Sequence, residues 1–264
     1  MMFKIAFRNI FRQKRRTILT ALTMFGGFTL AAISIGWSDG SYSNIIDMFT
    51  RNQLGHIQVH KKGYLDKPSL YNTINNYETV GDKIQKAQGV QSWAPRLYSA
   101  GLVSIGDKSA GVQIVGIDPQ REDESTRFNK KIIEGAPLAG VPAHEVLLGK
   151  GLAKILNAKL GDEVVIVSQA ADGSIANDLY QLVGIVQIGE EISDRMSFYL
   201  HLKDAQELLA LDSSIHEIIV IVHKLDEVAK VTDRIRQKLN NPVFDVESWQ
   251  EFAKSFYVDR KSVV

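Results

Sequence analysis

The sequence predicts an α+β fold led by one transmembrane helix, and three observations carry that prediction. An uncharged run of about 22 residues, 17–38, follows a strongly basic N-terminus. Beyond residue 55, apolar residues recur at every second position in short runs, the period of strands. Between those runs lie stretches with apolar residues at helical spacing, so helices cover a sheet.

A helix rises ~1.5 Å per residue, so the uncharged run covers roughly 33 Å, close to the ~30 Å hydrocarbon core. A cleaved export signal would have a shorter apolar region and a small-residue cleavage site, for which Ala31-Ala32-Ile33-Ser34 is a weak match. A buried core helix is the third alternative, and length and basic flank favour the retained span. Upstream, Phe3, Phe7, Ile10 and Phe11 share one helical face and Lys4, Arg8, Arg12 and Arg15 another, the pattern of an interfacial helix. The positive-inside rule then holds the N-terminus in the cytoplasm and puts the remainder outside. Tyr42, Ile45, Ile46 and Phe49 keep helical spacing, so the helix is expected to continue as a stalk toward Gly55; simple helix packing explains the same spacing.

Charge and composition exclude several classes. Six of the 31 basic residues precede the first acid, Asp39, leaving 25 basic against 30 acidic residues. So uneven a distribution does not make a nucleic-acid-binding face, and none is expected. Cysteine is absent, which excludes disulfides, thiolate metal sites and Cys nucleophiles.

The elements then follow in order. Residues 56–60 alternate as a strand, with His56 and His60 on a solvated face too far apart to share a metal. Val80, Ile84 and Ala87 mark a helix over 77–88 that stops at Gly89. Strands over 90–105 and 110–117 flank a turn at Gly106-Asp107, and the charged run 121–131 reads as a solvated connection or short helix. Residues 145–169 read as strand, short helix, turn at Gly161-Asp162, and strand. Asp172-Gly173 turns the next strand pair, ending near 188. An acidic loop with Glu190, Glu191 and Asp194 follows. Strand and helix then alternate over 197–246, with Val228, Val231, Ile235 and Leu239 striping the longest helix.

Three chemical motifs are approached without being met. Gly36-Trp37-Ser38-Asp39-Gly40 fits the G-x-S-x-G pattern, but that serine needs a strand–turn–helix setting and the apolar run before it is too long for a strand. Gly149-Lys150-Gly151 begins like a dinucleotide loop, yet Lys154 occupies the third small-residue position, and no G-x-x-x-x-G-K-[ST] occurs. The acidic loop offers paired carboxylates, which in exposed loops are solvated. No catalytic residue, cofactor or metal site is therefore assigned, and ATP-driven work must come from another polypeptide.

Short motifs in a fixed order carry a resemblance. Phe7-Arg8-Asn9-Ile10-Phe11-Arg12 with Arg15-Arg16-Thr17 is followed by Gly116-Ile117-Asp118-Pro119, Glu134-Gly135, Glu145-Val146-Leu147-Leu148-Gly149, Leu160-Gly161-Asp162 and Val183-Gly184-Ile185. Together they resemble ABC-transporter permeases of the lipoprotein-releasing and macrolide-exporter (MacB-like) family, over nearly the whole chain. The resemblance implies a cytoplasmic interfacial helix (1–16), a transmembrane helix and stalk (17–54), and a periplasmic domain. That domain would be a βαβ-type subdomain (55–117 and 197–250) carrying an inserted, mainly β subdomain (118–196), with 251–264 leading to a second span this chain lacks. It implies a permease in the inner membrane, most like the lipoprotein-releasing type, with MacB-like efflux as one alternative and a membrane-anchored periplasmic scaffold as another. Expected partners are a separate cytoplasmic ABC ATPase, a second permease subunit, the lipid membrane and a periplasmic lipoprotein carrier. Arg8, Asn9, Arg12, Arg15 and Arg16 would contact the ATPase or the membrane surface, and Tyr42, Ile45, Ile46 and Phe49 an acyl chain. The hairpin 169–178 is short and lacks the Phe and Pro of the carrier-recruiting permease, which assigns carrier docking to a partner.

Overall fold

The computed structural model describes residues 14–49 and 54–252, and from 38 to 49 only the course of the backbone. Two compact units divide the chain at residue 48.

The described residues of the first unit belong to one helix, α1 (Lys14–Phe49). Its 36 residues extend about 54 Å at ~1.5 Å each. Within residues 14–37 the most apolar 18-residue window has mean hydropathy 1.9, and none of that window is buried. Phe25, Phe28, Leu30 and Trp37 are all exposed, so the helix is apolar around its circumference. Such a surface suits hydrocarbon and not water. Its hydroxyls are turned back on the helix: Thr20 Oγ1 donates to the Arg16 carbonyl at 2.9 Å and Thr29 Oγ1 to that of Phe25 at 2.8 Å. A hydroxyl satisfied in this way needs no water in the span. Gly36 to Gly40 lie within this uninterrupted helix, which removes the setting a nucleophilic serine requires.

The second unit is built on ten strands: β1 (Ile57–Lys61), β2 (Val90–Ile105), β3 (Lys108–Ile117), β4 (Ile132–Gly135), β5 (Glu145–Gly149), β6 (Glu163–Gln169), β7 (Ile175–Val186), β8 (Ser197–His201), β9 (Glu217–Val222) and β10 (Phe244–Ser248). Their order is β10-β1-β9-β2-β3-β8-β5-β7-β4, with β6 bridging β2 and β7. The helices are α2 (Tyr77–Gln85), α3 (Pro119–Thr126), α4 (Lys150–Leu156), α5 (Glu191–Met196), α6 (Leu202–Leu208) and α7 (Val228–Leu239).

The long strand β2 is the hinge of this topology. Its first half, 90–96, pairs with β9, whereas 101–104 pairs with β6. The pairings β2–β3, β3–β8, β8–β5, β5–β7, β7–β6 and β6–β2 close a ring. Thus strands from 118–196 and from its flanks share one hydrogen-bonded ladder. Gly101 permits the switch of partner: a Cβ there would stand 2.8 Å from the Val167 carbonyl oxygen.

Alternation sorts the side chains. Ile57, Val59, Trp93, Leu97, Ile218 and Val220 belong to the main core, as do Val164, Ile166, Phe198 and Leu200 of the ring. Helices α2, α4, α6 and α7 contribute their apolar stripes to that core, including Val80, Ile84, Val231 and Ile235. A smaller cluster, with Val115, Ile117, Phe128, Leu147 and Val186, forms separately. Glycines set the closest approaches. A Cβ at Gly81 would lie 2.2 Å from the Trp93 ring, and one at Gly89 2.6 Å from Val231 Cγ2.

Three expectations change. The acidic stretch 189–194 is not a loop throughout, because Glu191–Met196 forms α5 and Asp194 is buried, its Oδ1 accepting from the Ile188 N–H at 2.7 Å. The run 121–131 does hold part of a short helix, α3, capped by Asp118, but its Glu122 is buried instead of solvated. His56 and His60 are also buried, because β1 lies between β9 and β10 and not at an edge.

Candidate functional site

Of the expected contact residues, Arg15 and Arg16 are exposed in the first described turn of α1. Arg8, Asn9 and Arg12 lie outside the described residues. Tyr42, Ile45, Ile46 and Phe49 fall on α1 at positions sharing one helical face, and their side chains are outside the described set.

The second unit holds a cluster that periodicity did not reveal. Register pairs His60 with Asp245 on one side and Glu217 on the other, and Glu217 with Arg96. Asp245, His60, Glu217 and Arg96 therefore form a cross-strand row over β10, β1, β9 and β2, on the sheet face opposite Ile57, Val59 and Leu97. Arg96 binds Glu122 in fork geometry, Nη2 donating to Oε1 at 2.6 Å and Nε to Oε2 at 3.1 Å. Thr126 Oγ1 donates to the same carboxylate at 2.8 Å. Tyr98 Oη donates to Glu217 Oε2 at 2.5 Å. Tyr64 stacks between His60 and His216, with ring centroids 5.3 and 5.4 Å away.

Burial and charge compete in this cluster. Burial would raise the Glu122 carboxyl, but the charge and hydrogen bonds of Arg96, with the bond from Thr126, hold it below the carboxylate range. Burial would likewise lower Arg96, and Glu122, Tyr98 and Glu217 carry it well above its ordinary value. Lys131 is pulled down to about 8 by burial, against the attraction of Glu122. Burial depresses His60 and His216, so both rings stay neutral at neutral pH. His216 Nδ1 accepts from the Tyr98 N–H at 3.0 Å, which leaves Nε2 to donate to the Leu70 carbonyl at 3.1 Å.

A cleft of about 630 Å³ opens over this face, with Tyr64, Leu65, Tyr98, Phe128 and Tyr199 among its walls. Its volume and mixed lining suit binding. Among the described residues, no group of three or more His, Asp or Glu could hold a metal ion. The Gly149-Lys150-Gly151 segment has a steric explanation: a Cβ at Gly149 would lie 2.4 Å from the Asp194 carbonyl oxygen, and one at Gly151 2.7 Å from Arg195 Cγ. These glycines admit α5. A charge inside the apolar strand at Arg96 and an acid heading the apolar run at Glu217 were the sequence signals of the cross-strand charged row, and nothing in the sequence pointed to Glu122 as the partner of Arg96.

The first and last described strands of this unit lie side by side. β1 and β10 pair antiparallel from Ile57↔Ser248 to Lys61↔Phe244, and the Trp249 N–H donates to the His56 carbonyl at 2.9 Å. Glu251 Oε2 accepts from both Ser248 N–H and Oγ, at 2.8 and 3.0 Å, and its carboxylate also receives Arg236 Nη2. Arg236 in turn donates to the Val246 carbonyl at 2.6 Å, tying β10 to α7.

Known proteins share this organisation. The family model described as MacB-like periplasmic core domain matches residues 17–238. The lipoprotein-releasing system transmembrane protein LolC of Neisseria meningitidis is 22% identical, over 96% of this chain and 62% of its own length. LolE of Haemophilus influenzae is 25% identical over 38% of this chain and 24% of its own. The chain thus spans less than two thirds of the curated relatives it matches. Among solved structures, the periplasmic region of MacB from Actinobacillus actinomycetemcomitans aligns with TM-score 0.57 and 16% identity, over 80% of this chain and 96% of that one. The extracellular domain of the ABC-type transporter YknZ from Gram-positive bacteria gives 0.54 and 10%, over 73% and 99%. At those identities the two structures speak for the fold, and with the family match over most of its length the chain belongs to the MacB-like periplasmic core domain family.

Proposed function

We propose that this chain is the membrane subunit of an ATP-driven ABC transporter of the lipoprotein-releasing type, working in the inner membrane with its folded unit in the periplasm. The observation that carries the reading is an apolar helix leading into a MacB-like domain whose first and last strands are paired neighbours. A domain held at adjacent points between two spans would move as a body when the spans move, which suits force transmission. The similarity to LolC and LolE, named lipoprotein-releasing system proteins, supports the substrate class.

In this reading, the basic segment 1–16 faces the cytoplasm, and Arg8, Asn9, Arg12, Arg15 and Arg16 contact a separate ATPase subunit and lipid headgroups. Tyr42, Ile45, Ile46 and Phe49 line the path of an acyl chain. A second permease completes the dimer and receives the lipoprotein carrier. ATP hydrolysis belongs to the ATPase partner. The fold shared with MacB favours efflux as the second reading.

The test is charge reversal at Arg8, Arg12, Arg15 and Arg16 in the membrane-embedded chain. The expected result is inverted labelling of cysteines placed at either end of α1, or loss of substrate-stimulated ATPase activity in the purified complex. Normal topology with full coupling would refute the assignment, and recovery without any nucleotide-binding subunit would favour a scaffold.

A further inference from the structure

Within the cleft, His60 is 2% exposed and lines the wall, yet its Nδ1 has no hydrogen-bond partner among the described residues. A buried polar atom left unpaired is costly and marks a place where a ligand supplies the missing bond. The tautomer identifies what is missing. His60 Nε2 stands 3.8 Å from Glu217 Oε1, and Asp245 is its cross-strand neighbour on the other side. A carboxylate donates nothing, so it favours the proton on Nε2 and leaves Nδ1 as a lone pair. The vacant function is an acceptor.

The surrounding charge agrees. Arg96 and Lys131 bring two positive charges to the cleft lining, and Glu122, Glu190 and Glu217 bring three negative ones. Arg96 and Glu122 engage each other at one end, so the excess negative charge lies elsewhere in the cleft. Tyr98 and Tyr199 add aromatic walls, Tyr64 covers one face of His60, and Leu65, Pro68 and Leu70 supply an apolar wall. Acceptor, negative charge and aromatic faces together select a cation carrying N–H donors on an apolar body.

The geometry points to the cleft between the 62–73 segment and the open sheet face as a binding site for a primary ammonium attached to an apolar group, with His60 Nδ1 accepting one ammonium hydrogen. The site is independent of the transport reading, because it rests on the cluster alone. Three water-soluble probes isolate its parts. Phenethylammonium carries charge, donors and ring; phenethyltrimethylammonium keeps charge and ring without donors; 3-phenylpropanoate reverses the charge.

Calorimetric titration of the full chain in nanodiscs, with empty nanodiscs subtracted, measures all three. Saturable binding of phenethylammonium is expected, about tenfold weaker for the trimethyl analogue, in keeping with one lost bond to a buried group. No binding of the carboxylate is expected. His60→Phe keeps a ring against Tyr64 and removes the acceptor, so it should also weaken phenethylammonium about tenfold. His60→Gln, a second variant, retains an amide acceptor and should lose less. Equal thermal midpoints would show that the variants are folded. Absence of saturable phenethylammonium binding, equal binding of the carboxylate, or unchanged affinity in folded His60→Phe would overturn the proposal.

Discussion

Arg96 sits on β2 with apolar and aromatic neighbours on either side, and its partner Glu122 comes from helix α3. Removing one member of a buried pair leaves the other charge uncompensated, which costs about 3–5 kcal/mol, while removing both is nearly neutral. Arg96→Met should therefore destabilise the folded unit by that amount in denaturant titration, and Arg96→Met with Glu122→Gln should restore most of it. Glu122 is held below its ordinary value, so its contribution is complete above the unfolded carboxylate pKa and is lost as pH falls through the folded one. The two histidines act in a higher window. Their folded pKa values lie below 6.5, so beneath that pH the unfolded chain binds protons that the folded one does not, and stability falls. The thermal midpoint should drop from pH 7 to pH 5, and His216→Gln should flatten that slope by up to roughly 1.4 kcal/mol per pH unit. Neither pair nor stack was legible in the sequence. Tyr98 and His216 lie 118 positions apart, and only register brings them together.

At the scale of elements, local pattern was a good guide. The helix at 77, the strand 90–105 and the Asp172-Gly173 turn follow from spacing and turn chemistry, and Asp172 Oδ1 does accept from the Ser174 N–H and hydroxyl. The pattern misled where a short helix is polar. In Glu191–Met196 the apolar residues Ile192 and Met196 stay exposed, and α5 is held by its packing on β5 and α4 through Gly149 and Gly151. Gly149→Ala should cost about 1–3 kcal/mol from overpacking against Asp194. Added ATP should leave the thermal midpoints of both wild type and variant unchanged, a check by scanning calorimetry on the steric reading of these glycines.

For the whole molecule, the division at residue 48 separates a helix with no buried side chain among those described from a unit that buries a large core. A fragment of residues 54–252 should stay folded without detergent, whereas the full chain should require it. Circular dichroism and size exclusion would check both. Within the fragment, closure of the ring through β6 makes β2 the strand with partners at every stage of its length. Hydrogen exchange should accordingly be slowest in β2 and in β9, whose residues are all buried.

The sequence by itself determined the membrane helix, the period of most strands and helices, their turns and the family resemblance, because each is written within a few to about twenty consecutive residues. Tertiary structure decided which strands are neighbours, and hence that one ladder runs through 118–196 and its flanks, that β1 and β10 adjoin, and that a charged row with an unpaired His60 nitrogen lies beneath a cleft. Those features depend on pairings across tens to nearly two hundred residues, where alternation records which face a side chain occupies but not which strand lies beside it.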